Sequence, residues 1–160
     1  MDKILTIDKA IQLAKTLHAK KQSIVLAGGC FDILHIGHIK FLEEAKKQGD
    51  VLFVLVENDK TIKKLKGKNR PINTQKDRSQ ILSHLSIVDY AIMLPVIDDD
   101  KAYDDLVINI KPAIIATTSG DISRLHKERQ AKLVGAKVVD VTAPISNQST
   151  TRLINILQEV

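Results

Sequence analysis

The sequence predicts an α/β domain, a three-layer sandwich around a five-stranded parallel sheet, on three observations. Its apolar residues gather in short continuous runs instead of alternating with polar ones, as strands buried on both faces require. Between those runs lie stretches with apolar residues at helical spacing, so strands and helices alternate throughout. Residues suited to a ligand cluster after the first and fourth runs, and open α/β sheets bind their ligands at the carboxyl ends of their strands.

In chain order, residues Ile7 to Lys20 place Ile11, Leu13, Ala14 and Leu17 on one face, a covering helix with Asp8 as cap or first-turn acid. Ile24-Val25-Leu26-Ala27 is the first strand. It breaks at Gly28-Gly29, where a backbone without side chains can turn sharply and approach a ligand closely. Ile36, Ile39, Phe41 and Leu42 then recur at helical spacing, which puts His35, Gly37 and His38 in the first turn of a helix. Unpaired N–H groups and the positive end of the helix dipole make that turn an anion site. Two imidazoles add donors, and the glycine between them leaves room for a phosphate to lie against the backbone. The pattern implies a cradle for a nucleoside triphosphate.

Val51-Leu52-Phe53-Val54-Leu55-Val56 is the second strand, with Glu57-Asn58-Asp59 at its carboxyl end, where Asn58 and Asp59 are either ligand groups or a plain turn. The run holding Lys60, Lys63, Lys64, Lys66, Lys68 and Arg70 reads as a mobile basic loop facing a phosphorylated small molecule. After Pro71, helical periodicity resumes from Thr74 to Leu85. Arg78 projects from its first turns, either as a solvated charge or as a ligand to an anion, since a cation there does not serve the dipole. Val88 to Leu94 is the third strand. Asp98-Asp99-Asp100 reads as an acidic, helix-capping turn before the helix around Tyr103 to Ile110. Ala113 to Ala116 is the fourth strand, Ile122 to Leu133 a helix and Lys137 to Val141 the fifth strand. Ser149 then caps a last helix, with the hydroxyls of Thr150 and Thr151 beside its orphan N–H groups, a second helix start able to hold anions.

Composition narrows the classes. At 160 residues the chain is expected to be one domain, residues 1–22 a leading amphipathic helix and 23–160 the core. A single cysteine, Cys30, excludes an internal disulfide and a cysteine-based zinc site. No apolar run approaches the roughly 20 residues of a membrane span, and Met1-Asp2-Lys3 opens no signal peptide, so the expected compartment is cytoplasmic with no membrane partner. Asn147-Gln148-Ser149 matches a glycosylation sequon that carries no meaning without secretion. A net charge of +5 raises nucleic-acid binding, but the clustered lysines have no aromatics beside them to stack bases, and no nucleic acid is expected. Neither G-x-G-x-x-G nor G-x-x-x-x-G-K-[ST] is present, against a dinucleotide-dependent oxidoreductase and a P-loop kinase.

Gly29-Cys30-Phe31-Asp32 followed by His35-Ile36-Gly37-His38 resembles the HxGH nucleotidyltransferase superfamily, in its cytidylyltransferase-like branch, and Ser149-Thr150-Thr151 resembles that superfamily's second motif. The likeness extends over the whole chain. Its layout, with Asn58-Asp59, Leu65-Lys66-Gly67, Arg70-Pro71-Ile72-Asn73, Asp77-Arg78 and Val88-Asp89-Tyr90, is most similar to the heptose 1-phosphate adenylyltransferase domain. The resemblance implies a Rossmann-like fold and transfer of a nucleoside monophosphate from ATP or CTP to a phosphorylated sugar or polyol, releasing pyrophosphate. Glycerol 3-phosphate and ethanolamine phosphate cytidylyltransferases and FAD synthetases share the motifs and are alternatives. A non-catalytic nucleotide-binding module is the alternative of another class.

The resemblance assigns catalysis to His35, His38 and Lys66. It assigns the nucleotide to Gly29, Cys30, Phe31, Asp32, His35, Gly37, His38, Gly120, Asp121, Ser149, Thr150 and Thr151, and the acceptor to Asp32, Asn58, Lys66 and Arg78. It also implies a homodimer, and Mg2+ bridging the phosphates with few protein carboxylates around it. Two departures mark this chain. Thr117-Thr118-Ser119-Gly120-Asp121-Ile122 keeps a Gly-Asp pair where the heptose enzymes have Lys-Gly-Gly-Asp-Tyr, and Ile154 stands where several members carry a basic residue.

Overall fold

A computed structural model of the protein describes residues 2–145 and 149–158. The elements run β1 (Ile4–Leu5), α1 (Ile7–Ala19), β2 (Ile24–Gly29), α2 (Ile36–Lys46), β3 (Val51–Val56), α3 (Asp59–Lys66) and α4 (Gln75–Ser83). There follow β4 (Tyr90–Met93), α5 (Asp100–Ile110), β5 (Ile114–Thr118), α6 (Arg124–Val134), β6 (Lys137–Thr142) and α7 (Thr150–Gln158). The strands form one parallel sheet in the order β1-β4-β3-β2-β5-β6.

The sheet has six strands where the sequence predicts five. The additional one, β1, is two residues long and pairs Ile4 with Ala91 and Leu5 with Ile92, too short to leave a periodic signal. The basic run is also not a loop over most of its length. Asn58 caps α3, which carries Lys60 to Lys66 in helical form, and the lysines of its last turn face the negative end of its dipole. The Asn147-Gln148-Ser149 sequon lies partly outside the described residues.

Alternation along the central strands produces the layers. Ile24 and Leu26 of β2 pack with Ala10, Ala14 and Leu17 of α1, with Leu106, Val107 and Ile110 of α5 and with Ala131 of α6. Val25 and Ala27 face the other way, into a cluster with Phe41, Leu42 and Ala45 of α2 and Leu82 of α4. All six residues of β3 are buried, as a strand covered on both faces requires. From β2 the chain moves outward through β3 to β4 and later returns to lay β5 on the other side of β2. That reversal is the topological switch point, and it opens a crevice beyond the carboxyl ends of β2 and β5. Among the described residues no helix is long and apolar enough to cross a membrane.

Candidate active site

The crevice is built on the segment between β2 and α2. The strand continues through both glycines, Gly28 opposite Leu55 and Gly29 opposite Val56, so the turn expected at the glycines comes later. It falls at Phe31, whose φ of 48° places a buried aromatic in the left-handed region. The glycines serve by lacking side chains: a Cβ on Gly29 would sit 3.0 Å from the Phe31 ring, whereas one on Gly28 would meet only the Leu55 Cβ at 3.7 Å.

His35 is the N-cap of α2, and its Nδ1 accepts the Gly37 N–H at 3.1 Å. The His38 Nδ1 in turn accepts the His35 N–H at 3.4 Å. The two rings lie 3.9 Å apart at 32° to each other, and His38 also packs 5.3 Å from Phe31. With both Nδ1 atoms accepting, each neutral ring carries its proton on Nε2, and both remain hydrogen-bond donors without being charged. Burial, with the neighbouring His35 adding to it, pushes His38 down to about 4. Burial also lowers His35.

Two cavities flank this strand end. One, of about 470 Å³, is bounded by Gly37 and the two histidines, by Thr118 to Asp121 after β5 and by Thr142 to Ile145 after β6. The other, of about 480 Å³, has apolar walls that include Leu26, Leu55, Leu94 and Leu106, and a polar pair in which the Tyr103 hydroxyl donates to Glu57 Oε2 at 2.6 Å. Gly28, Gly29, Ser123 and Lys127 border both cavities, so what separates them includes the side-chain-free end of β2 together with the Ser123 and Lys127 side chains.

On the cleft's far wall, Asp121 accepts hydrogen bonds from Lys127 Nζ at 2.6 Å, from the Thr117 hydroxyl at 2.7 Å and from the Ser123 N–H and hydroxyl at 2.9 and 2.8 Å. Burial works to raise its carboxyl, and these donors override it and hold it far below the usual carboxylate range. Gly120 borders the same wall with φ 78°, a conformation that suits glycine. At the start of α7, Ser149 Oγ accepts the Arg152 N–H at 3.1 Å, and the Thr150 hydroxyl donates to the Ile33 carbonyl at 3.1 Å. The second motif is thereby tied to the loop that carries the first. Thr151 is exposed on that helix's first turn.

Other expected ligand residues turn out to be internal braces. Arg78 has no exposed surface, and its guanidinium donates to the carbonyls of Asn73, Cys30 and Glu57 and to Asp59 Oδ1. It joins three loops around the crevice and has no face toward an acceptor, which corrects the expectation of a projecting cation. Asp32, 1% exposed, accepts the N–H groups of Ile72 and Asn73 and the Arg70 Nε. Burial would raise its carboxyl, but those hydrogen bonds lower it, and it fastens the α3–α4 connection with its carboxylate turned inward. Asn58 accepts the Lys60 N–H as the cap of α3, and its amide donates to Gln75 Oε1 and the Leu94 carbonyl. Cys30 is half-buried; burial pushes its thiol up, against a nucleophilic role. Lys66 is exposed at the last turn of α3.

Sequence reasoning passes over Tyr103, Ser123 and Lys127. The first reads as a helix marker and the others as ordinary polar positions; only the topology that brings β5, α5 and α6 to the end of β2 makes them neighbours of the site.

Comparison with known proteins gives consistent matches. The cytidylyltransferase-like family model matches residues 26–156. The bifunctional protein HldE of Aliarcobacter butzleri is 38% identical over 159 residues, covering 98% of this chain and 31% of that protein. HldE of a Nitratiruptor species is 40% identical over 145 residues, covering 89% and 29%. The chain therefore spans about a third of the length of these curated relatives. Among solved structures, a lipopolysaccharide core biosynthesis protein from Thermoplasma volcanium has a TM-score of 0.61 at 35% identity, covering 80% of this chain and 99% of that one. A pantoate-beta-alanine ligase from Francisella tularensis has a TM-score of 0.65 at 18% identity, covering 100% and 79%, a likeness of fold alone.

Proposed function

The chain belongs to the cytidylyltransferase-like family, and from that premise we propose that it moves a nucleoside monophosphate from ATP to a phosphorylated sugar, with heptose 1-phosphate the first acceptor to try and CTP the alternative donor. The observation that carries this reading is the pair of cavities meeting over Gly28 and Gly29, one beside the histidines and one behind them. The two substrates of this reading approach each other there, beside two glycines that carry no side chain and the side chains of Ser123 and Lys127.

In this reading the triphosphate lies in the His35–His38 cleft, at the positive end of α2. An acceptor phosphate oxygen from the second cavity attacks the α-phosphorus, the bond to the β-phosphate bridging oxygen breaks, and pyrophosphate leaves. Both reactants are anions, so the protein's work is alignment and stabilisation of the charge building up on the phosphates. In this reading the Nε2–H groups of His35 and His38 take up that task. Lys66 is proposed to contact the acceptor, and Lys66→Ala should raise the acceptor KM more than the triphosphate KM.

Mg2+ belongs to the proposal. Among the described residues no group of three His, Cys, Asp or Glu side chains is placed to grip a metal, and Asp121 in the cleft is already matched to Lys127. With no such side-chain grip, an ion carried in with the triphosphate would be held chiefly by that substrate, and it would supply charge neutralisation there. A cytoplasmic homodimer completes the proposal, with Ile122 and Leu125, 100% and 77% exposed at the start of α6, as apolar surface for a partner copy. The deciding experiment incubates the protein with ATP or CTP and a panel of phosphorylated sugars and polyols and reads pyrophosphate. No release with any pair would reject the reading.

A further inference from the structure

Lys127 is the one lysine or arginine among the described residues that line either cavity, and it lines both. Its side chain, 22% exposed, reaches from α6 to Asp121 Oδ2 at 2.6 Å and Thr117 Oγ1 at 3.0 Å. An ammonium has three donors, and these contacts occupy two. The second cavity also contains carboxylates, Glu57 held by Tyr103 and Asp100 beside His126 and Arg129. An anionic group entering that cavity is repelled by the Glu57 carboxylate and finds its one cationic donor among the lining lysines and arginines in the remaining N–H of Lys127, whose charge is shared with Asp121.

We propose that Lys127 is a catalytic residue: its ammonium holds the acceptor's phosphate against the triphosphate's α-phosphate at the junction of the cavities and fixes which way round the acceptor lies. The inference rests on the nucleotidyl-transfer reading. The acceptor's phosphate points toward Gly28, Gly29 and Lys127, and its hydroxyl-bearing body toward Glu57 and Tyr103, which suit hydroxyl groups as hydrogen-bond partners. During transfer the acceptor oxygen gains a bond to the α-phosphorus as pyrophosphate departs with the electron pair of the broken bond. Lys127 keeps its proton throughout, while Asp121 and Thr117 hold the side chain in place.

The test compares Lys127→Met and Lys127→Arg with the unaltered protein, after confirming by thermal unfolding that each is folded. Inorganic phosphate, titrated against each protein by 31P NMR with a saturating non-hydrolysable triphosphate present to fill the His35–His38 cradle, reports the cation site without any need for turnover. Lys127→Met should bind phosphate at least about tenfold more weakly, with Lys127→Arg retaining most of the affinity. In steady state, Lys127→Met should lower kcat on the order of a hundredfold and raise the acceptor KM, while affinity for a non-hydrolysable triphosphate changes less than about threefold. A folded Lys127→Met protein with unaltered phosphate binding overturns the inference, even where the unaltered protein turns over. Lys127-dependent phosphate binding in a protein that transfers nothing upholds the cation site and rejects nucleotidyl transfer instead.

Discussion

His35 and His38 bind each other's turn: the His38 Nδ1 takes the His35 backbone N–H while the His35 Nδ1 takes the Gly37 N–H, with the rings 3.9 Å apart. Each imidazole is pinned as the Nε2–H tautomer, and burial keeps His38 neutral down to about pH 4. A triphosphate bound against these rings favours their charged forms, so its binding should raise the His38 titration. NMR titration of the imidazoles with and without a non-hydrolysable triphosphate checks this, and an unchanged midpoint would place the anion elsewhere.

The same shift has a stability consequence whose sign is fixed. Between the ordinary histidine value of 6.5 and about 4, the unfolded chain binds a proton that native His38 does not, so stability is complete above the upper value and falls as pH drops toward the lower. His35, also lowered, contributes in the same direction. Asp32 and Asp121 are held below 3.8, so their stabilisation is lost only at more acidic pH. Urea midpoints should therefore fall between pH 6.5 and 4.5, and His38→Gln should flatten that part of the profile.

Replacing His38 by Ala removes a donor to the phosphates at the point where charge develops. The loss should fall on kcat, on the order of a hundred- to a thousandfold, with triphosphate affinity little altered. The capping contact with His35 adds a stability cost of about 1 kcal/mol, readable by thermal unfolding. Near-native kcat in a folded variant would remove His38 from the mechanism.

Arg78→Met separates a brace from a ligand. The substitution leaves three carbonyls and Asp59 without their donor, and the expected loss is on the order of 3–5 kcal/mol in denaturant unfolding. A variant of unaltered stability with weakened acceptor binding would restore the role that the sequence suggests for Arg78.

Arg78 also shows where reading from sequence stops. The parallel sheet was legible because Ile24 to Ala27 and Val51 to Val56 are apolar without alternation, and the anion cradle because two histidines flank a glycine just after a strand. Those are local patterns. Whether a cation near a helix start faces solvent or three buried carbonyls is decided by which loops the fold stacks around it, and no spacing along the chain encodes that. Lys127 is the converse case: an ordinary helical lysine in sequence, it becomes the cation of the site because β5 and α6 return beside β2. β1 escaped notice for a simpler reason, its two-residue length.

Gly28 offers the cleanest separation of the two cavities. Side-chain direction alternates along β2, and Leu26 borders the second cavity, so a side chain at position 28 points to that same face. A Cβ there meets nothing nearer than the Leu55 Cβ at 3.7 Å, and valine suits a strand better than glycine does. Gly28→Val should accordingly fold with stability changed by less than about 1 kcal/mol. Its methyl groups would occupy the space through which the acceptor reaches the α-phosphate, so the acceptor KM should rise at least about tenfold while the triphosphate still binds. Steady-state kinetics in both substrates, beside equilibrium binding of a non-hydrolysable triphosphate, decide the matter. If Gly28→Val weakened triphosphate binding and left the acceptor KM unchanged, the assignment of the two cavities would have to be exchanged.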